Sequence, residues 1–482
     1  MASEGKISAD VVLKSGLWYT IGNFAFRAVA FITTPIFTRL LSKAEYGEYN
    51  NITSWIAVLF IFTSCDLYTS IIRAKLDYEK DLERYSFSVL TLGSIISVAL
   101  FAITMLFRNA LADLMGIQPK YFYIMFVYLF FVQGYYVYIT LERARYRYKK
   151  FSIITGAGIV LSCFFSLFLV LLMKDKLDAR VYGQHIPYIV IGLVLYVLIA
   201  KKGKAVYLPY YRYGLLLSLP LVPHLLSMTI LSASDRIMIT KIAGAEYTAI
   251  YSVAYIVANI VSILLDSMNK AWAPWFLDSV KAKDLETVKK AAVPYYGAFI
   301  AMIIGVLLAA PEVVMILGGR KYMEGVYVLP PLIVGCAFQF AYTMYVQVEF
   351  YEKKMKIVAV ATSIAALINI VLNYVLIPYF GYIAAGYTSL VGYMILFLIH
   401  YYTACSLGYK SIFDRRIIIG GLGLTLGLMP IILVLYRVPN FVRYGVLAVY
   451  IIFLLGIVYH YRHLIKEILG RRKRKQSEQT IH

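Results

Sequence analysis

The chain contains about 14 separate stretches of mostly apolar residues, each long enough to cross a lipid bilayer. A transmembrane helix needs about 20 such residues to cover the hydrocarbon core. The stretches are continuously apolar and do not alternate with a period of two, which excludes a closed barrel. We therefore predict an all-α polytopic membrane protein with about 14 transmembrane helices. The predicted spans are residues 16–41, 46–72, 86–107, 121–141, 152–173, 186–200, 214–238, 247–276, 293–312, 327–348, 357–377, 383–405, 417–436 and 442–461.

Composition supports a membrane location and argues against a nucleic-acid partner. Hydrophobic residues make up 61% of the chain and charged residues 15%. Soluble domains carry about 45–50% hydrophobic and about 25% charged residues. The net charge of +21 fits the Lys and Arg enrichment of cytoplasmic loops. No folded soluble segment is long enough to hold a basic groove for nucleic acid. The basic tail at residues 471–475 instead predicts contact with anionic membrane lipids.

The distribution of Lys and Arg predicts the orientation. If the N-terminus is cytoplasmic, the cytoplasmic segments hold most of the 47 Lys and Arg residues. This imbalance predicts a multi-pass protein with both termini in the cytoplasm. Residues 1–14 are polar, and the apolar stretch up to residue 41 is too long for a cleavable signal. We expect the first span to stay in the protein.

No sequence feature predicts a cofactor, a metal site or ATP use. The four cysteines lie inside apolar stretches and form no CxxC pair, so we expect neither a disulfide nor a zinc site. A GxxxxGK[ST] phosphate-binding loop is also missing from the sequence.

A faint internal repeat predicts two related halves. Residues 38–46 (TRLLSKAEY) return as residues 240–247 (TKIAGAEY), and residues 141–150 are echoed by residues 348–356. Six spans separate the copies, so both have the same orientation, as in transporters built from parallel repeats. The predicted domains are an N-terminal six-helix lobe (1–213), a C-terminal six-helix lobe (214–416), two extra transmembrane helices (417–461) and a basic cytoplasmic tail (462–482).

Several of these segments resemble a known family. Residues 16–23 (GLWYTIGN), 35–49 (PIFTRLLSKAEYGEY), 235–239 (DRIMI) and 245–255 (AEYTAIYSVAY) are similar to polysaccharide and O-antigen flippases. These form one branch of the multidrug/oligosaccharidyl-lipid/polysaccharide exporter superfamily. The resemblance covers nearly the whole chain.

The resemblance implies a non-enzymatic flippase in the bacterial plasma membrane. It would move an undecaprenyl-diphosphate-linked oligosaccharide from the inner to the outer leaflet by alternating access. The product would serve cell-surface polysaccharide biosynthesis, such as capsule or O-antigen. Glycan polymerases and glycosyltransferases are then candidate partners.

Arg27 is the strongest candidate for substrate binding, because it falls near the middle of the first span. An Arg there costs at least about 2.5 kcal/mol to insert, so it should face a cavity or an acidic partner such as Asp66. In relatives, cationic residues lining a central cavity are thought to receive the diphosphate, and Arg27 is the matching candidate. At the repeat offset, Asn23 falls opposite His224, so both are predicted to line the cavity.

Asp66 and Asp266 are candidates for coupling to H⁺ or Na⁺, because acids inside membrane spans are costly and often functional. They could also balance Arg27 and Lys270. His224 is a further coupling candidate, since histidine titrates near neutral pH.

Arg39 and Lys241 correspond through the repeat at the outer ends of the first and seventh spans. They could draw the head group outward, or they could reach the interface in the ordinary manner of long cations. Asp235 and Arg236 are adjacent, and we expect them to form a structural pair. Most of the 44 tyrosines are expected in interfacial belts.

Two other functions are consistent with parts of this pattern. A multidrug cation antiporter of the same superfamily would favour acidic cavity residues over a central Arg27. A membrane glycosyl polymerase or ligase acting on the same lipid would need a sizeable outer loop, whereas the predicted outer connections are short.

Overall fold

The structure is a computed structural model that describes residue 29 and residues 31–460. Its described part contains helices and no strands. The first predicted span lies mostly outside the described residues, and its described helical residues 31–40 are called α1. The following helices are α2 (Lys43–Ser64), α3 (Ser70–Asp77), α4 (Leu82–Leu106), α5 (Arg108–Met115), α6 (Tyr121–Ala144), α7 (Tyr148–Leu172), α8 (Lys176–Gly203), α9 (Leu208–Ser218), α10 (Val222–Ile242), α11 (Ala245–Lys281), α12 (Leu285–Gly318), α13 (Leu329–Tyr351), α14 (Met355–Phe380), α15 (Tyr382–Ser406), α16 (Arg415–Leu435) and α17 (Asn440–His460).

The described helices confirm the all-α membrane fold. Twelve helical segments are long and apolar enough to cross a membrane, and a thirteenth span forms if α2 and the bent segment Leu67–Asp77 are counted together. These agree in position with the predicted spans from 46–72 onwards. The sixth span differs most, because α8 begins at Lys176 and not near residue 186. The Asp175 side chain caps the N-terminus of α8 by accepting from the Asp178 amide. This cap lets the helix begin with a charged first turn, before the apolar stretch.

The buried hydrophobic residues in the described part of the chain form three clusters. The largest is built mainly from the second half of the chain, which we define as residues from 214 onwards, and also includes Phe37, Leu41 and Tyr46. The two smaller clusters lie within residues 49–210, in the first half. This distribution is what two lobes would produce, while the repeat that relates them stays a prediction.

The seventh span is interrupted. Between α9 and α10 the chain forms a 3₁₀ turn at Leu219–Leu221. Pro220 and Pro223 lack the amide hydrogens that a continuous helix would need there. Helix α9 packs against α4 in the first half, whereas α10 packs against α14 and α2. The break therefore lies where the two halves meet.

An ion pair holds α17, the last described helix, against α12. Arg443 of α17 is only 2% exposed and forms an ion pair with Glu312 of α12. It also donates to the Leu308 carbonyl at 2.9 Å and to the Asn440 side-chain oxygen at 3.3 Å. Because a buried guanidinium needs such partners, these contacts fix α17 beside α12.

Candidate functional site

The two halves meet closely at one end of the molecule, which we call the closed end. It is formed by residues 38–47, 113–117, 240–245 and 316–322. Gly47 of α2 packs directly on Ala245 of α11, where a Cβ on Gly47 would overlap the Ala245 carbonyl oxygen. The Thr38 hydroxyl donates to the Leu317 carbonyl at 2.6 Å. Small residues allow this approach of two helix backbones.

Arg39 and Lys241 both bridge the halves at the closed end. Arg39 donates to the carbonyls of Pro35 at 2.6 Å and Ile316 at 3.3 Å. Lys241 donates across the opposite junction to the Asp113 carbonyl. Each cation thus satisfies carbonyls in the last turn of a helix from the other half. Their predicted role in drawing out the head group stays a prediction.

A cavity of about 450 Å³ lies between the halves. Its size falls within the range of about 300–1,000 Å³ found for small-molecule sites. Both halves contribute to its walls, mainly through α2, α6, α8 and α10. The lining residues are Tyr49, Thr53, Ile56, Ala57, Phe60, Ile61, Ser64, Asp66, Tyr68, Tyr128, Tyr136, Gln184, His185, Leu225 and Thr229.

Aromatic rings make up one side of the cavity. The Phe60 centroid lies 4.7 Å from that of Tyr136 and 6.0 Å from that of Tyr68, and the two tyrosines are 5.2 Å apart. Tyr128 meets His185 edge-on at 4.7 Å. These tyrosines line a central cavity. The expectation that most tyrosines lie in interfacial belts does not account for them.

Asp66 is the carboxylate in the described lining of the cavity. It lies at the bend that follows α2, with a left-handed φ of 54°. Its Oδ2 accepts from the Thr69 hydroxyl at 2.7 Å, and its backbone carbonyl accepts from the Ser218 hydroxyl at 3.1 Å. The fold thus places a carboxylate in the wall of the cavity, and its predicted coupling role stays a prediction.

Arg180 is a buried cation that the sequence reasoning did not select. Its guanidinium carbon lies 3.8 Å from the ring centroid of Phe37 and 4.4 Å from that of Tyr49. It donates to the Ser166 hydroxyl at 2.8 Å and to Gln184 Oε1 at 3.1 Å. Its Nε has no hydrogen-bond partner within the described residues. Because Tyr49 and Gln184 line the cavity, Arg180 lies directly behind its wall.

His224 does not belong to the described cavity lining. Its Nδ1 lies 2.9 Å from the Thr362 hydroxyl of α14, and the neighbouring Leu225 lines the cavity instead. Successive helical side chains point about 100° apart, so only one of this pair faces the space. Asn23 and Arg27 lie outside the described residues.

Asp266 occupies a setting different from that of Asp66. It is half-buried within the continuous helix α11, whereas Asp66 lies at a helix bend. It is not among the described lining residues of the cavity. The two acids therefore differ in local geometry, although both fall within predicted spans.

Asp235 forms a buried polar network in the second half. It is 1% exposed, and its carboxylate accepts from Asn373 at 2.6 Å, from Ser389 at 2.7 Å and from the Tyr251 hydroxyl. No ion pair within 4.0 Å joins Asp235 to Arg236 among the described residues, and the Arg236 guanidinium lies 5.0 Å from the ring centroid of Tyr255, so their structural pairing stays a prediction. All three partners donate to the carboxylate, so the network can hold its negative charge inside the second half.

A many-helix membrane protein with a cavity between two halves, sealed at one end, has the architecture of a transporter. The sequence profile of the family described as "Polysaccharide biosynthesis protein" matches residues 12–280, more than half of the chain. The chain belongs to this family.

Two relatives support this assignment. Lsg locus putative protein 1 of Haemophilus influenzae is 21% identical over 387 residues, covering 74% of this chain and 90% of that protein. An uncharacterized membrane protein of Methanocaldococcus jannaschii is 20% identical over 514 residues, covering 96% of this chain and 99% of its own length.

Solved structures show the same fold. The lipid II flippase MurJ in an inward closed conformation has a TM-score of 0.70 at 14% identity, covering 93% of this chain and 99% of that one. An inward-facing multidrug resistance MATE family transporter of the MOP superfamily has a TM-score of 0.58 at 13% identity, and the match covers 82% of this chain and 98% of that one. Together with the family match, they confirm the resemblance to polysaccharide transporters of the multidrug/oligosaccharidyl-lipid/polysaccharide superfamily.

Proposed function

We propose that this protein flips an undecaprenyl-diphosphate-linked oligosaccharide from the inner to the outer leaflet of a bacterial plasma membrane. The observation that carries the proposal is the aromatic-lined cavity between the halves. A polar glycan is very costly in hydrocarbon, whereas a polyprenyl tail can stay in lipid. Tyrosine rings can cover the apolar faces of sugars, and their hydroxyls can bond sugar oxygens. Glycosyltransferases and a polymerase would then act before and after the transfer.

The closed end supports transport by alternating access. If both termini are cytoplasmic, the closed end faces outward, and the cavity is in the state that loads substrate from inside. Separation of Gly47 from Ala245 would open the route to the outer leaflet. The hydrogen bonds of Thr38, Arg39 and Lys241 across this end would break in the same step.

We assign the diphosphate to Arg27 and Asn23, because a guanidinium fork matches phosphate geometry and an amide can donate to its oxygens. Arg180 supplies a second positive charge behind the wall formed by Tyr49 and Gln184. A diphosphate held in the cavity by such cations would have no need to enter lipid.

For energy coupling we propose Asp235 as the binding group for H⁺ or Na⁺, with Asp66 as a second candidate. Burial makes the charged Asp235 carboxylate costly even though three donors bond it, so a bound proton or cation would stabilise it further. Its place between α10, α14 and α15 would link ion binding to the packing of the second half.

A second candidate function is export of cationic drugs. The observation that favours it is the Asp66 carboxylate in the cavity lining, since an acid attracts cations and repels a diphosphate. A flipping assay and a dye-export assay on one preparation distinguish the two functions.

The test uses proteoliposomes loaded with a fluorescent undecaprenyl-diphosphate oligosaccharide, with an added enzyme that reports access of the sugar to the outside. We expect Arg27→Ala to abolish flipping. We expect Tyr128→Ala to reduce it roughly tenfold, because stacking contributes about 1 kcal/mol and cavity shape adds to this. Tyr374→Ala is the matched control, since Tyr374 is 71% exposed on α14.

Flipping by the wild type that is lost in the cavity variants and kept in the control would support the proposal. Export of a cationic dye without glycan flipping, together with loss of export in Asp66→Asn, would establish drug transport instead.

A further inference from the structure

A basic pocket lies at the end of the molecule opposite the closed end. It is formed where α4 begins and α8 ends, by residues 80–84 and 201–205, and it measures about 720 Å³. Since α2 starts at the closed end and runs away from it, this pocket faces the other side of the membrane. Its cations are Lys80, Arg84, Lys201, Lys202 and Lys204.

The two carboxylates of the basic pocket are already engaged by other groups. Glu83 forms an ion pair with Arg145 at 2.5 Å. Asp81 accepts from the Tyr210 hydroxyl at 2.5 Å and lies 4.0 Å from Arg84. In the described part of the chain, none of the four lysines has a carboxylate within ion-pair distance. The lysines are therefore available to an anionic ligand.

The backbone fixes the lysines in place. A Cβ on Gly203 would overlap the Cβ of Phe87 and lie 3.0 Å from the Glu83 carbonyl oxygen. Gly203 is thus pressed against α4, and no larger residue fits there. Lys204 follows with a positive φ of 61°, a conformation that L-residues rarely adopt. The cations come from a packed junction, not from a loose loop.

An apolar groove continues from the basic pocket along α9. It measures about 620 Å³ and is lined by Leu208, Tyr211, Arg212, Leu215, Leu216, Leu219 and Pro220. The Arg84 guanidinium lies 4.9 Å from the ring centroid of Tyr207, which joins the pocket to the start of the groove. Leu208 is 70% exposed, as expected for a surface that faces lipid chains.

The apolar groove ends at the helix break that precedes the cavity-lining part of α10. Ser218, one residue before Leu219, donates to the backbone carbonyl of Asp66, which lines the cavity. Leu225 lines the same cavity just after the helix break at Leu219–Leu221. From the end of α8 to α10, the basic pocket, the apolar groove, the helix break and the cavity-lining Leu225 therefore follow one another along the chain.

We propose that the basic pocket and the apolar groove form an entry dock for a polyprenyl-diphosphate lipid. The pocket binds the diphosphate and the groove holds the first isoprene units before the head enters the cavity. This inference rests on the proposed flippase function. Five cations against two carboxylates leave a formal charge of +3, which complements a diphosphate better than a singly charged phospholipid head.

The test compares a triple variant, Lys201→Ala with Lys202→Ala and Lys204→Ala, with the wild type. The matched control is Lys281→Ala with Lys283→Ala and Lys289→Ala, which removes the same charge from the α11–α12 connection on the same side of the membrane. Two readouts are needed. One is binding of undecaprenyl diphosphate without sugar to protein in neutral-lipid nanodiscs, and the other is the substrate dependence of flipping in proteoliposomes.

We expect the pocket variant to weaken binding roughly tenfold and to raise the half-saturating substrate concentration by a similar factor, with maximal flipping unchanged. The control should match the wild type. Equal binding by both variants would overturn the entry dock and leave the flippase function standing. Equal competition by phosphatidylglycerol would also overturn it, since the site would then take any anionic lipid. If the wild type binds the lipid but does not flip it, the proposed function fails while the dock stands.

Discussion

Replacing Gly47 with alanine should force the closed end apart. Gly47 lies where α2 and α11 touch, and its missing side chain is what permits the contact with Ala245. An added Cβ would overlap the Ala245 carbonyl oxygen and lie 2.5 Å from its carbonyl carbon. Both atoms it meets belong to backbone, so no side-chain rotation can relieve the overlap.

The size of the effect follows from this geometry. Ordinary contacts of a Cβ begin at 3.4 Å, whereas this Cβ would lie 1.7 Å from the Ala245 carbonyl oxygen, so the two helices must move apart by about 1.7 Å. Overpacking of this kind costs about 1–3 kcal/mol. The ratio of closed to open molecules should therefore fall roughly 5- to 150-fold. The alanine does not meet Ala245 once the halves have separated, so the open state should be unaffected.

Labelling of a single cysteine at Thr53 measures this shift, because Thr53 lines the cavity. The four native cysteines are first replaced by alanine, and a membrane-impermeant maleimide is added from the side of the closed end. We expect faster labelling in Gly47→Ala than in the parent, together with slower flipping.

Gly156→Ala is the control. Gly156 lies within membrane helix α7, and a Cβ there would have no atom within 4 Å. Labelling of the Gly47 variant at the rate of this control would refute the reasoning, because the closed end would then not depend on the backbone contact.

Two further predictions concern buried charges. Asp235→Asn keeps the shape of the network but removes its charge. Any dependence of the flipping rate on pH or Na⁺ should therefore disappear. A dependence equal to that of the wild type would contradict the coupling role of Asp235. Arg443→Leu should lower stability by about 2 kcal/mol, less than the 3–5 kcal/mol for fully buried pairs because Glu312 stays 36% exposed. Thermal unfolding in detergent measures this loss. Lys290→Ala, at an exposed ion pair, should leave the midpoint unchanged.

Local sequence was enough to place the membrane helices. A run of about 20 apolar residues has few alternatives to a transmembrane helix, because lipid offers no partners for backbone polar groups. The spans from 46–72 onwards were found for this reason. The start of α8 was missed because its first turn is charged and does not look like a membrane span. The Asp175 side chain starts the helix there by capping its N-terminus.

The sequence also determined the family, since segments such as residues 35–49 and 245–255 carry its pattern. It did not determine which polar groups meet, because their partners are far apart in the chain. Asp235 is bonded by Asn373 and Ser389, more than 130 positions away. Arg180 is buried by Phe37 and its neighbours in the same way. Such contacts depend on how helices pack and rotate against one another, and only the tertiary structure decides that.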